Sequence, residues 1–179
     1  MEHVEILKFW FEEIDSSQWW VQDEQFDQLI VDRFADIHAQ AIKCELFGWR
    51  QTAGGRLAEI IVLDQFSRNM FRNSALSFAY DPLALALSQE AISVGADDKL
   101  NSSQRHFLYM PFMHSESLKI HEIAMALCEK DGNQSYLNYE IKHRDILQKF
   151  GRYPHRNRML GRKSTAAEVE FLKKADFRF

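Results

Sequence analysis

Proline and glycine are scarce in this sequence, with three and seven copies among 179 residues. Both residues mark turns, so their scarcity argues against disorder and against a turn-rich fold of β-strands. No segment alternates apolar and polar residues for long enough to indicate a strand, and no repeat of fixed period is present. Long helices are therefore the expected structure.

Cysteines and long apolar runs are also few. Cys44 and Cys128 lie far apart and belong to no CxxC or Cys/His motif, which indicates a reducing compartment rather than a disulfide framework. The longest strictly apolar run, residues 123–128, is much shorter than the roughly 20 residues that a membrane span requires. The N-terminus has acidic residues where a signal peptide has basic ones. We therefore expect a cytoplasmic protein without a membrane partner.

Positive charge is not in surplus, because 26 Asp and Glu outnumber 22 Lys and Arg. Nucleic-acid binding normally requires a basic face, so nucleic acid is not an expected partner. The Walker, GxSxG, GxGxxG, HExxH and zinc-finger motifs are all absent. Glu140 with His143 is the only Glu-x-x-His, and a di-iron bundle needs a second one. We therefore predict no metal and no cofactor.

Helical periodicity, in contrast, runs through most of the chain. Apolar residues recur at helical spacing in residues 2–13 and from Asp23 to Gly48, and residues 52–72 are apolar almost all round. Helix-start signals follow at Asp81 with Pro82, Asn101 with Gln104, and Thr165 with Glu168. Pro111 predicts a kink or a break. The sequence predicts an all-α single domain, residues 1–179, of about seven to nine helices in antiparallel pairs.

One predicted loop concentrates positive charge. Residues 150–162, FGRYPHRNRMLGR, contain four arginines and one histidine. Gly151, Pro154 and Gly161 interrupt the helical pattern, which indicates an ordered loop. So many planar donors need acceptors, either carboxylates of the protein or an anionic ligand.

A second polar cluster lies on the helix predicted for residues 52–72. Asp64 falls on the same stripe as the apolar residues Leu57 and Ile60, and Arg68 follows one turn later. A carboxylate and a guanidinium placed against a core must be paired or bound to a ligand, because an unpartnered buried charge is strongly destabilising.

Four motifs stand in order along the chain: DQFSRN, FAYDPLAL, YMPFMHSE and FGRYPHRN. This set closely resembles a widespread bacterial family of unassigned function in the tetratricopeptide-like helical superfamily, marked by DQFxRN, FAxDPLAL, YxPFxHSE and FGRxPHRN. The resemblance covers nearly the whole chain, although Ser67 and Tyr153 stand where the family often has Pro and Phe. It implies an all-α fold of stacked helical hairpins and supplies no established catalytic residues.

Two hypotheses for the function remain open, and neither decides whether the chain is an enzyme. In the first, the polar residues bind a small anionic metabolite, a phosphate or a carboxylate, because the arginines outnumber the carboxylates Asp64 and Glu116. The expected ligand-binding residues are Arg68, Asn69, Arg152, Arg156 and Asn157; the expected general acid or base residues are His155 and His114; the expected structural pairing residues are Asp64, Glu116 and His143.

In the second hypothesis, the chain is a tetratricopeptide-like module that binds a peptide or a protein partner. The polar residues then form an internal network of ion pairs and hydrogen bonds that holds the loop against the helices. The two hypotheses differ in where the polar side chains lie. Convergence on a cavity open to solvent favours a ligand site, and sealed mutual pairing favours the interaction module.

Overall fold

Residues 1–173 are described by a computed structural model, and their regular structure is entirely helical. The α-helices are α1 (His3–Lys8), α2 (Glu24–Ala41), α3 (Ala53–Ile61), α4 (Ser67–Met70), α5 (Asp81–Ser93), α6 (Ser102–Met113), α7 (Leu118–Asp131), α8 (Gln134–Phe150) and α9 (Ala166–Leu172). The prediction of an all-α protein with about seven to nine helices is thus confirmed. Within this described region, none of the helices combines the length and apolar character that crossing a membrane would require.

Most helices begin where capping residues predict. The Asp23 carboxylate accepts hydrogen bonds from the backbone N–H groups of Gln25 and Phe26, at 2.8 and 3.1 Å, and so caps α2. Thr165 and Glu168 form the predicted capping box of α9. Asp81, however, is the first residue of α5 rather than its cap. These local hydrogen bonds satisfy backbone donors that a helix leaves unpaired at its start.

Two helices depart from the predicted bounds. Helix α2 ends at Ala41, well before Gly48, because the chain turns at Cys44, whose φ is +58°. Helix α6 continues past Pro111 to Met113, so the predicted break does not occur. Pro111 lies close to the end of α6, and its missing N–H removes a single hydrogen bond, the one that the Phe107 carbonyl would accept.

The segment predicted as one helix over residues 52–72 consists of α3, a π-helical turn over Val62–Phe66, and α4. All residues of the π-turn are buried, including Asp64. π-Turns of this kind occur mostly as single turns within α-helices. The turn therefore places a carboxylate within the core, as the helical stripe predicted for Asp64.

Two compact units divide the chain. The first comprises Met1–Arg72 and Leu76–Pro111, and the second comprises residues 73–75 and the chain from Phe112 onward. In the first unit, α3 packs against α1 and α5, and α2 packs against α4. Its core is aromatic: the Phe34 ring lies 4.8 Å from that of Phe9 and 4.9 Å from that of Phe66. The single domain over residues 1–179 stays a prediction.

The second unit is built on the hairpin of α7 and α8. Gly132, with φ of +75°, ends α7, and Asn133 caps α8 through hydrogen bonds to the N–H groups of Ser135 and Tyr136. The core beside this hairpin contains Ile146, Leu147, Tyr153 and Phe171. Its residues come from α8, from α9 and from the arginine-rich segment 150–162, here called the basic loop. The basic loop thus contributes a core residue, Tyr153, to the second unit.

Candidate ligand-binding site

The basic loop begins where α8 ends. Gly151 has φ of +69°, and its N–H donates to the Leu147 carbonyl at 2.8 Å. Glycine adopts this left-handed conformation without steric cost, which lets it close α8 and redirect the chain. The loop then forms a short 3-10 turn, Pro154–Arg156. The prediction of an ordered loop in place of a helix is confirmed.

Arg152 is paired with a carboxylate that the sequence did not suggest as its partner. Its Nε donates to Glu168 Oε1 at 2.7 Å, and its Nη2 donates to Glu168 Oε2 and to the Lys163 carbonyl, both at 2.9 Å. The hydrogen bonds from Arg152 lower the pKa of Glu168 to about 2. The capping box of α9 was visible in the sequence, but it did not indicate that its glutamate also pairs with Arg152.

Arg162 forms the second bidentate pair of the loop. Its Nη1 and Nη2 donate to the two oxygens of Glu116 at 2.6 and 2.9 Å. The same carboxylate accepts the Tyr153 N–H at 2.7 Å. Partial burial raises the pKa of Glu116, but the hydrogen bonds from Arg162 and Tyr153 outweigh it and bring this pKa below its usual value. Glu116 thus binds two points of the loop.

Two further loop residues expected to bind a ligand are buried. Asn157 donates to Ser164 Oγ at 3.0 Å and accepts from Arg162 Nε at 2.9 Å. The guanidinium of Arg156 lies over the Tyr153 ring, 4.9 Å from its centroid. Cation–π contact of this kind is an accepted way to hold an arginine against an aromatic ring. For both residues, ligand binding stays a prediction.

Under the loop lies a sealed polar network that sequence reasoning missed in part. The Tyr153 hydroxyl donates to the Met113 carbonyl at 2.6 Å and lies 3.1 Å from His121 Nε2. His121 Nε2 donates to the Ser115 carbonyl, and Nδ1 lies 2.5 Å from Glu140 Oε1. His121 and Glu140 are both 0% exposed, and burial raises the pKa of Glu140. A pair without solvent contact holds structure rather than a ligand.

Two of the three predicted histidines, His143 and His155, lie beside the same tyrosine. His143 is buried, and it donates from Nδ1 to the Tyr139 carbonyl at 2.8 Å. Burial lowers the pKa of His143 to about 3, so its ring is neutral at pH 7. The His155 ring lies 5.5 Å from the Tyr153 ring, and His114 is half-buried directly after the end of α6. Proton transfer by His155 or His114 stays a prediction.

The remaining predicted residues belong to the first unit. Arg68 Nη1 lies 3.0 Å from Asp64 Oδ1, and Nη2 donates to Asp81 Oδ2 at 3.0 Å. Asn69 donates to Asp27 Oδ1 at 2.8 Å, and Arg72 pairs with the same carboxylate. Asp27 and Asp81 were absent from the predicted acceptors. Because these partners lie within the first unit, Arg68 and Asn69 have local acceptors independent of the basic loop.

A contact between Ser67 and His38 resembles part of a hydrolytic dyad. Ser67 Oγ lies 2.8 Å from His38 Nε2, but it also lies 2.7 Å from the Leu63 carbonyl, which can only accept. The single hydroxyl proton therefore goes to Leu63, and His38 Nε2 must donate to the hydroxyl. A ring nitrogen that already carries a proton cannot take one from Ser67, so this pair does not activate a nucleophile.

An open cleft of about 430 Å³ lies at the junction of α8, the basic loop and α9. It is lined by Lys149, Phe150, Arg152, Thr165, Ala167 and Glu168. Its volume falls in the range of roughly 300–1,000 Å³ that is usual for small-ligand sites. Of the predicted site residues, Arg152 lines it. Lys149 and Thr165 were not predicted, and the cleft itself could not be seen without the fold.

The charges of the cleft are unequal. Arg152 is neutralised by Glu168, but the Lys149 ammonium lies over aromatic rings, 5.2 Å from the Phe150 centroid and 5.9 Å from that of Phe171. In residues 1–173, no carboxylate pairs with Lys149. The same region contains no group of three or more His, Cys, Asp or Glu side chains arranged to hold a metal ion. The positive charge of the cleft therefore comes from its own lysine and arginine side chains.

These features belong to a known class of bacterial proteins whose role is unassigned. The chain is a member of the family described as "Bacterial protein of unknown function (DUF924)", whose family model matches residues 6–176. The resemblance to a bacterial family of unassigned function is thus confirmed, and the tetratricopeptide-like superfamily stays a prediction.

A solved structure shares the same fold. The protein of unknown function from Agrobacterium tumefaciens is 38% identical to this chain, covers 96% of each chain and superposes with a TM-score of 0.91. The sequence has no match among curated proteins.

Proposed function

We propose that this chain binds a small anionic ligand in the cleft of its second unit. The observation that carries the proposal is the Lys149 ammonium, which has no carboxylate partner in residues 1–173, together with the Arg152 guanidinium in a recess of about 430 Å³. A phosphate or a carboxylate would accept hydrogen bonds from both side chains. The ligand class, a small anion, is the one predicted from the number of arginines. The proposed site lies at the edge of the basic loop, and Arg152 is the residue of this cleft that was also predicted to bind the ligand.

Arg152 retains donors for such a ligand. Its Nε and Nη2 groups are used by Glu168 and by the Lys163 carbonyl, whereas no acceptor in residues 1–173 takes the two N–H bonds of Nη1. Glu168 fixes the guanidinium plane, so the side chain loses little conformational entropy when a ligand binds. Arg162, in contrast, donates to Glu116 from both terminal nitrogens and therefore has fewer N–H groups left for a ligand.

A thermal-shift screen with carboxylated and phosphorylated metabolites tests the proposal. A ligand that binds only the native state stabilises it, by about 2.7 kcal/mol at a hundred times its Kd, and raises the melting temperature. Lys149→Met keeps the apolar stem and removes the charge, so it should abolish the shift. If no compound raises the melting temperature of the wild-type chain, or if Lys149→Met responds as the wild type does, the proposal is wrong.

The second candidate is a tetratricopeptide-like module that binds a peptide. It is favoured by the mutual pairing of loop and helix residues, as in Glu116 with Arg162, and by the exposed Ile123 and Tyr139 on the α7–α8 hairpin. Helical hairpins bind peptides through exposed apolar and aromatic side chains. Selection from a displayed peptide library should enrich sequences that bind the wild-type chain and do not bind the Tyr139→Ser variant. A library without enriched sequences would remove this candidate.

A further inference from the structure

The cleft has one net positive charge, and this property limits the ligand that it can take. Its charged side chains are Lys149, Arg152 and Glu168. Glu168 accepts from Arg152 and from the Thr165 N–H at 2.7 Å, and these hydrogen bonds keep its pKa at about 2. The carboxylate therefore stays ionised at neutral pH and cancels the charge of Arg152. The Lys149 charge is the one left for a ligand.

The surroundings of Lys149 are apolar. Its ammonium lies over the rings of Phe150 and Phe171, and Phe150 and Ala167 line the cleft beside it. An aromatic face next to a cation provides an apolar surface for the body of a ligand whose charged end reaches the cation. A polyphosphate would bring several charges against a single one and would also approach the ionised Glu168, which repels it.

We infer that the cleft binds monoanions with an apolar body, such as aryl or branched-chain monocarboxylates, in preference to phosphates and polyphosphates. This inference rests on the proposed function and specifies its ligand class. The carboxylate accepts from the Lys149 ammonium and from Arg152 Nη1, and the apolar body lies against Phe150 and Ala167. The volume of about 430 Å³ suits a ligand of this size.

Isothermal titration calorimetry with five probes tests the inference. Phenylacetate and isovalerate represent the expected class, phenylacetamide is the neutral counterpart of the first, and inorganic phosphate and tripolyphosphate together represent the excluded class. We expect the two monocarboxylates to bind and the amide, which lacks the charge, to bind at least about tenfold more weakly. The phosphates should bind more weakly still, because they have no apolar body and Glu168 repels them.

Two variants locate the binding. Lys149→Met should weaken phenylacetate binding about tenfold or more. Lys142→Met is the matched control, because Lys142 is also on α8 with its ammonium over an aromatic ring, 5.6 Å from the Tyr139 centroid, and does not line the cleft. It should bind as the wild type does. Equal binding by both variants and the wild type would overturn the inference.

The outcomes separate this inference from the proposed function. Phosphate or tripolyphosphate binding that exceeds phenylacetate binding and is lost in Lys149→Met would overturn the ligand class and leave the anion site in place. If none of the probes binds and the wider metabolite screen is also negative, the proposed function fails together with the inference. Lys149 is exposed, so its replacement leaves the fold intact and keeps the test interpretable.

Discussion

At the scale of single residues, burial of His143 makes the stability of the chain sensitive to acid. Burial lowers the pKa of His143 to about 3, whereas an unfolded histidine has a pKa of 6.5. Below pH 6.5 the unfolded chain therefore binds a proton that the folded chain refuses. The free energy of unfolding should fall by about 2 kcal/mol between pH 6.5 and pH 5 on this account, and the loss continues toward pH 3.

The variant His143→Asn tests this acid sensitivity. The asparagine amide can donate to the Tyr139 carbonyl as Nδ1 does, but it does not titrate. Urea unfolding at pH 6.5 and pH 5 should show a smaller loss of stability in the variant than in the wild type, by about 2 kcal/mol. Equal losses in the two proteins would show that His143 takes up its proton without unfolding.

Arg162 offers a second prediction at this scale. Replacement by Met leaves Glu116, which is partly buried, without its bidentate partner, and also removes the hydrogen bond to the Tyr153 carbonyl at 3.0 Å. Arg162→Met should lower the free energy of unfolding by about 2 kcal/mol in urea titrations. Arg158 is exposed in the same loop and forms no ion pair in residues 1–173. Arg158→Met should unfold like the wild type, and an equal loss in both variants would count against the pairing.

At the scale of elements, the start of α3 depends on close backbone approach. A Cβ at Gly55 would overlap the carbonyl oxygen of Trp49, which belongs to the preceding 3-10 turn Phe47–Gln51. Gly55→Ala must therefore move that turn or α3, and we expect thermal unfolding to show a loss of about 1–3 kcal/mol. Gly48 is the matched control, because a Cβ there meets nothing within 4 Å. A Gly55→Ala protein as stable as Gly48→Ala would contradict this packing.

The elements also show how far the sequence could predict this structure. Helix starts were predictable, as at Asp23 and Thr165, because a cap is a hydrogen bond between residues two or three apart. The end of α2 was not, since Cys44 adopts a left-handed conformation that its residue type does not indicate. Local chemistry thus predicted the helices better than it predicted the turns between them.

The candidate site was predictable in its residue types and not in its partners. Glu116 was a predicted acceptor and binds Arg162, but Arg152 pairs with Glu168 across a loop, and spacing along the chain carries no signal for that contact. His121 lies on one apolar stripe with Ala124 and Cys128, and this periodicity could have identified it as a buried histidine. The cleft around Lys149 requires α8 and α9 to meet, which no single motif encodes.

At the scale of the whole molecule, the two units should differ in their response to acid. The second unit contains His143, with its pKa lowered to about 3, and Glu168, with its pKa lowered to about 2 by Arg152. The pKa of Glu116 is also below its usual value. Stability from the two carboxylates is complete above the unfolded pKa of 4.5 and is lost as the pH falls below it, and stability from the neutral His143 is lost below 6.5.

A carboxyl with a raised pKa opposes part of this loss. Burial raises the pKa of Glu140 in the second unit, so protonation of this carboxyl offsets part of the loss as the pH falls. In the first unit, burial lowers the pKa of His38, which gives a loss of the same sign as that of His143. Two strongly lowered pKa values, those of His143 and Glu168, both belong to the second unit. Because of these two groups, we expect the second unit to be the more acid-sensitive of the two.

Hydrogen exchange resolved by residue can measure this difference. Amide protection factors at pH 7 and pH 4, each corrected for the intrinsic exchange rate at that pH, give the local opening free energies of the two units. We expect α7 and α8 to lose more protection at pH 4 than α3 and α5. In the His143→Asn variant, the difference in protection loss between these two pairs of helices should be smaller. Equal losses in all four helices would mean that the chain opens as one cooperative unit, and earlier loss in α3 would place the acid-sensitive groups in the first unit.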